Sequence, residues 1–282
     1  MADIAQLVNQ MQPVFVVAPT ARNGVTLVQR LLNSSRQIVV YGENLDFMDR
    51  MPKLVHSTVQ THTTNGPHIA EARQKFLKQT TEFWTSNLWP DTQTFMMIAF
   101  EAFYKAALLY QQQTQQDGIS RWGVKNPLTE PQMIERLTVL MKGAKFVFIY
   151  RSLFDVARSA KARQFIKNET ELRNYGVQWA HNLTTVLNAK WGHVQIIRYE
   201  DLLSEPDAHI QQLEQFAGIS GIDRSVMDRK INTFTGQTEN GMSPTGYIPP
   251  ADLTSKEQTI LREAAGSALQ LGGYAEDSKS AA

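Results

Sequence analysis

Apolar residues in the first 45 positions form two short β-branched runs with a helical stretch between them. Val14-Phe15-Val16-Val17 is unbroken by any polar position and ends at Ala18-Pro19, while Ile38-Val39-Val40-Tyr41 stops at Gly42. Runs without alternation suit strands buried on both faces of a parallel sheet. Between them Leu27, Val28, Leu31 and Leu32 recur at helical spacing, which predicts a helix over 25–32 and a strand–loop–helix–strand unit. Residues 5–12 read as a short polar helix or arm. Residues 44–118 carry no strong strand. Long helices are expected over 68–84 and 92–111, the second with Phe95, Ile98, Phe103, Ala106, Leu109 and Tyr110 roughly along one face.

The alternation resumes at Trp122-Gly123-Val124, a short strand. Thr129 and Gln132 make a capping-box pattern for a helix through residue 140. Phe146-Val147-Phe148-Ile149-Tyr150 is the clearest strand in the chain, followed by helices over 154–162 and 169–189. Val194 to Tyr199 reads as the last strand, 206–216 as a helix, and 254–271 as a closing helix. Residues 232–250, rich in Gly, Thr, Asn and Pro, read as a long loop. About five buried-type strands separated by helices predict a three-layer α/β fold.

Composition narrows the function. The 282 residues carry 28 Lys+Arg against 27 Asp+Glu, a net charge of +1 that argues against a protein coating a polyanion such as nucleic acid. Hydrophobic residues at 42% and charged residues at 20% leave enough apolar material for a real core. With no cysteine, disulfides, thiolate metal sites and cysteine nucleophiles are excluded. No pair among the six histidines has a metal-ligand spacing. The apolar runs fall far short of a transmembrane segment, and the opening Met-Ala-Asp lacks the layout of a signal peptide, so the expected setting is cytoplasmic.

In an open parallel sheet, ligands bind beyond the carboxyl ends of the strands. After the first strand, Ala18 to Leu27 places Gly24 before a helix N-terminus, where free backbone N–H groups suit phosphate, with Arg22 adding charge and Thr26 a hydroxyl. The nucleoside-triphosphate pattern G-x-x-x-x-G-K-[ST] is absent from this loop. Glu43 follows the second strand, Lys125-Asn126-Pro127 the third, Arg151 the fourth and Tyr199 the fifth. Singly, each has a plain reading: a turn, a solvated Glu or Lys, an Arg151 pairing with Asp155, a packed Tyr199. Together they set three cations and one acid at one sheet edge, which points to a multiply charged anionic ligand with Glu43 as the natural general base.

These residues resemble the sulfotransferases that use 3′-phosphoadenosine 5′-phosphosulfate (PAPS), in particular the branch with an R-S-G-T-T-L loop that includes bacterial and tyrosylprotein enzymes. The resemblance is carried by Arg22-Asn23-Gly24-Val25-Thr26-Leu27 with Tyr41-Gly42-Glu43, by Phe148-Ile149-Tyr150-Arg151 with Ser159 eight residues on, by Arg198-Tyr199-Glu200-Asp201-Leu202, and by Lys125-Asn126-Pro127. It spans about residues 13 to 274 and implies one domain over 1–282, a three-layer P-loop-type fold with a central parallel sheet of about five strands, a helical insertion at about 44–118, and a late loop at about 232–250. It further implies that residues Arg22 to Leu27 cradle the 5′-phosphosulfate, that Arg151 and Ser159 bind the 3′-phosphate, and that Tyr199 lies near the nucleotide. Glu43 would take the acceptor proton, Arg22 and Lys125 would stabilise charge on the transferring group, and no metal would be needed. The acceptor would be a small molecule, lipid or glycan.

The chain departs from that pattern at three places. Asn23 and Val25 stand where the family has Ser and Thr, and a lost hydrogen bond to a charged group costs about 1.5–3 kcal/mol. The loop's start, Pro19-Thr20-Ala21, is one residue longer than usual. Nothing between Ile231 and Ser255 is Lys or Arg, although many relatives place a basic residue there. Two other readings stand beside the first: a catalytically inactive nucleotide- or partner-binding protein of the same fold, and a divergent P-loop kinase. Phe47, Phe83, Trp84, Trp89, Phe95 and Tyr104 allow an apolar or ring-bearing acceptor, with core packing as the plainer expectation.

Overall fold

In the computed structural model, which describes residues 2–228 and 248–274, every buried-type run is a strand. These are β1 (Val14–Val17), β2 (Ile38–Tyr41), β3 (Arg121–Asn126), β4 (Lys145–Tyr150) and β5 (Val194–Arg198). They form one parallel sheet in the order β2-β3-β1-β4-β5. The helices are α1 (Ala2–Gln10), α2 (Val25–Ser34), α3 (Met51–Leu77), α4 (Thr92–Gln116), α5 (Pro131–Leu140), α6 (Leu153–Ala162), α7 (Glu169–Ala189), α8 (Tyr199–Ser204), α9 (Pro206–Ala217), α10 (Ser255–Ala265) and α11 (Ala268–Leu271).

Strand alternation divides the core into two layers. Phe15, Val17, Trp122, Val124, Phe146 and Phe148 pack with α3, α4, α5 and α7 on one face of the sheet. Val14, Val16, Val147, Ile149 and Ile197 pack with α2 and α9 on the other. Successive side chains point to opposite faces, so a strand without polar positions must have both faces covered. Gly123 sits opposite Val14 in the ladder, and a Cβ there would run into the Val14 carbonyl oxygen. Glycine is therefore required in the middle of β3.

Several boundaries differ from the sequence reading. The first long helix is α3, beginning at Met51 and running through Pro67. Gly66-Pro67 reads as a break, yet packing of α3 along α4 carries the helix past it, an instance of tertiary contact overriding local propensity. A π-helical turn at Asp46–Arg50 leads into α3, which ends at Leu77 and not at 84, and a 3-10 turn at Thr85–Asn87 follows. Thr129 and Gln132 form no capping box: α5 has Glu130 at its N-cap, and Thr129 instead donates its backbone N–H to the Ala18 carbonyl. The complete capping box in the described residues is Thr254 with Glu257 on α10. The closing helix is split at Gly266, which has φ 51°. β3 extends to Asn126, so Lys125 lies within the strand, whereas β5 ends at Arg198 and Tyr199 opens α8. Most of the 232–250 loop lies outside the described residues. No helix among the described residues is long and apolar enough to cross a membrane.

Candidate functional site

The carboxyl ends of all five strands meet at one edge, and the sequence-predicted residues collect there. Lys125 is in register with Val16, whose side chain faces α2. The same parity sends the Lys125 ammonium toward α2, where it donates to Thr26 Oγ1 at 3.1 Å and to Glu43 Oε1 at 3.2 Å. The Lys125 side chain is 13% exposed and that of Glu43 53%. The cation is thus sheltered, and the carboxylate is open to an incoming molecule.

The turn between β1 and α2 is strained in a specific way. Arg22 has φ 71° and Gly24 φ 106°, both left-handed, a region that costs a non-glycine residue energy unless its surroundings hold it. A Cβ on Gly24 would lie 2.6 Å from Tyr199 Cδ2, so the aromatic ring rests directly on the turn. Tyr199 also carries the Arg151 guanidinium, whose carbon is 4.7 Å from the ring centre, a cation–π arrangement. Arg151 pairs with Asp155 at 2.7 Å, as its i,i+4 spacing suggested, and its Nε is buried with no partner among the described residues. Arg22 donates from Nε to Ser159 Oγ at 3.0 Å. Burial first, then Arg163 and Arg151, hold the Arg22 guanidinium below its ordinary pKa, with Tyr175 acting the other way. Cations gathered this closely favour an anion among them.

Two loop residues differ from their expected use. Val25 is buried and packs with Val28, Leu31 and Leu32 in the layer beneath α2, so its side chain belongs to the core. Its amide is in the first turn of α2, where no helical carbonyl precedes it. The Asn23 side chain is likewise fully buried and bonded within the protein. The Leu27 amide is taken by the Gly24 carbonyl.

Sequence reasoning missed the support beneath the site. On one face of α7, Tyr175 donates to the Ala21 carbonyl at 2.5 Å, Trp179 Nε1 to the Arg151 carbonyl at 3.2 Å, and Asn182 Nδ2 to the Pro19 carbonyl at 2.8 Å. Their i, i+4, i+7 spacing marks a shared helix face, but nothing in it names the partners. Burial holds the Tyr175 phenol well above its usual pKa. Glu200 accepts the Ser152 N–H at 3.0 Å and the Tyr274 hydroxyl at 2.7 Å, fastening the start of α6 to the segment after α11. Of the six aromatics considered for an acceptor, Phe47 and Tyr104 are buried in the core, Phe83 is half-buried, and Trp84, Trp89 and Phe95 are exposed. No group of three or more potential metal-binding side chains occurs among the described residues.

Solved structures similar to the chain include the sulfotransferase domain of the Synechococcus PCC 7002 olefin synthase, with 15% identity, 90% of this chain and 95% of that one covered, and TM-score 0.48. A sulfotransferase from Mycobacterium avium has 13% identity, 95% and 79% coverage, and TM-score 0.48. One from Alicyclobacillus acidocaldarius has 14% identity, 92% and 93% coverage, and TM-score 0.46. A search of curated proteins found no significant match. The sequence pattern of the sulfotransferase family matches residues 13–223. That span takes in all five strands and each turn at the sheet edge: the chain belongs to the sulfotransferase family.

Proposed function

We propose that the protein transfers a sulfuryl group from PAPS to a hydroxyl or amine of a small-molecule, lipid or glycan acceptor. The observation that carries this reading is the buried Nε of Arg151, without a partner among the described residues, at an edge that also gathers Arg22 and Lys125. A buried guanidinium N–H without an acceptor is costly, and a phosphate oxygen is the acceptor that suits it. Arg151 and Ser159 hold the 3′-phosphate, and the first-turn amides of α2 with the Thr26 hydroxyl hold the 5′ side, assisted by the helix dipole. Gly24 and Leu27 shape that loop through the backbone, Asn23 through its buried carboxamide, and Val25 anchors it in the core. Tyr199 sets the height of Gly24 and the plane of Arg151.

The donor supplies an activated sulfuryl group on a good leaving phosphate. Glu43 takes the proton of the acceptor as its oxygen or nitrogen bonds to sulfur, while the bond from sulfur to the bridging oxygen breaks and adenosine 3′,5′-bisphosphate leaves. Lys125 and Arg22 meet the charge that grows on the sulfuryl and bridging oxygens, the kind of preorganised electrostatic help that dominates such transfers.

The test is calorimetric titration with adenosine 3′,5′-bisphosphate beside ATP with Mg²⁺, using wild type and Arg151→Ala. Binding of the bisphosphate alone, weakened at least tenfold in the variant, supports the reading and opens an acceptor screen with Glu43→Gln as control. Preference for Mg²⁺-ATP would favour a kinase, and binding of neither would favour a non-catalytic relative.

A further inference from the structure

We infer that Asn23 is a positioning residue that ties the two anion-facing turns into one unit, and that its side chain is not a ligand. The inference rests on the reading of those turns given under Proposed function. Asn23 is fully buried, with both ends of its carboxamide committed. Nδ2 donates to the Thr20 carbonyl at 2.8 Å, to Thr20 Oγ1 at 3.0 Å and to the Ala21 carbonyl at 3.3 Å. Oδ1 accepts the backbone N–H of Arg151 at 2.9 Å, from 128 positions along the chain.

A carboxamide donates from one end and accepts at the other. A serine hydroxyl, one bond out from Cβ, does not span the gap from the Thr20 carbonyl to the Arg151 amide. The turn that carries Arg22 is therefore bolted to the turn that carries Arg151 through a side chain with its N–H groups already used. Arg22 Nε on Ser159 Oγ makes a second link between the same two segments. From below, the Tyr175 hydroxyl on the Ala21 carbonyl holds the first turn to α7. Such ties settle the geometry of both turns before a ligand arrives, which raises affinity by lowering the cost of ordering them. One bond in the tie governs both halves of a bisphosphate ligand.

The experiment measures dissociation constants of adenosine 3′,5′-bisphosphate, adenosine 5′-monophosphate and adenosine 3′-monophosphate for wild type, Asn23→Ser and Tyr175→Phe, well below each variant's melting temperature. Asn23→Ser is expected to weaken both monophosphates by the same factor, about five- to tenfold, although it restores the family's hydroxyl. A purely structural role would lower the melting temperature and leave these affinities unchanged, which would overturn the inference. Selective loss of the 5′-phosphate ligands would make Asn23 a direct ligand and overturn it as well. Should Asn23→Ser fail to fold, Tyr175→Phe decides: an equal loss, about threefold for both monophosphates, supports the tie, and unchanged affinity overturns it. Wild type binding none of the three nucleotides would instead bring down the reading of the turns as anion sites, and this inference with it.

Discussion

The Lys125 ammonium stands 3.2 Å from a Glu43 carboxylate oxygen, joining residues 82 positions apart at the ends of β3 and β2. β2 and β3 are neighbours in the sheet, with Tyr41 level with Val124. Glu43, two residues past β2, therefore lies one register position beyond Lys125, within reach of its long side chain. The contact places a sheltered cation against an exposed carboxylate, the pairing that an acid–base step beside an anionic transfer calls for.

From that contact, the two residues separate by what they change. Glu43→Gln is expected to lower turnover by about 10²–10⁴-fold while adenosine 3′,5′-bisphosphate affinity stays within about twofold. Lys125→Ala is expected to lower turnover by about 10²–10³-fold. Steady-state rates with PAPS and a screened acceptor, beside calorimetry, check both. Equal turnover in Glu43→Gln and wild type would remove Glu43 from the chemistry.

Gly24 carries two constraints at once, a left-handed φ of 106° and the Tyr199 ring 2.6 Å from where a Cβ would sit. Gly266 also has positive φ, at 51°, but open space around it. Gly24→Ala is expected to cost about 1–3 kcal/mol, or several degrees of melting temperature at about 2–4 °C per kcal/mol, and to weaken bisphosphate binding as Tyr199 is pushed aside. Gly266→Ala should show only the backbone part of the stability loss and unchanged binding. Melting curves and titrations of the two variants make the comparison.

His193 supplies a pH dependence. Burial lowers its pKa below the ordinary value near 6.5; it lies by Thr138 Oγ1 at 3.1 Å and packs against Phe146 and Trp191. Between its folded pKa and 6.5 the unfolded chain binds more protons, so stability rises with pH across that window and falls as the solution is acidified below about 6.5. Denaturant midpoints at pH 7.5 and pH 5.5 should show this decline, and His193→Gln should flatten it. The carboxylates with lowered pKa act in a separate, more acidic window. An identical slope in the variant would assign the dependence elsewhere.

All five strands were legible because a strand buried on both faces must be written as an unbroken apolar run. Glu169–Ala189 reads directly as a helix, with Asn168 accepting the Glu171 amide at its start. The long α3 was harder. It buries only Pro52, Val55, Thr58, Ile69 and Ala72 along its length, so its apolar face is thin and Gly66-Pro67 speaks against it locally. Arg22, Glu43, Arg151 and Tyr199 were picked out from their places after strands, because a parallel sheet aligns all its carboxyl ends; Lys125 lies within β3, and Ser159, inside α6, was singled out by the resemblance alone.

What the chain's own pattern determined, then, is which segments become strands, that they run parallel, and which charged residues stand at their ends. These follow from local periodicity and from the requirement that apolar runs be covered. Tertiary structure alone decided how those residues are used. That Asn23 bonds the Arg151 amide, that Tyr175 and Trp179 of α7 hold both turns from beneath, and that Val25 turns into the core depend on side-chain reach across the sheet order β2-β3-β1-β4-β5. A hydrogen bond between positions 128 apart leaves no periodic trace in sequence. It exists because β1 and β4 are neighbours in space, and the turns that follow them meet.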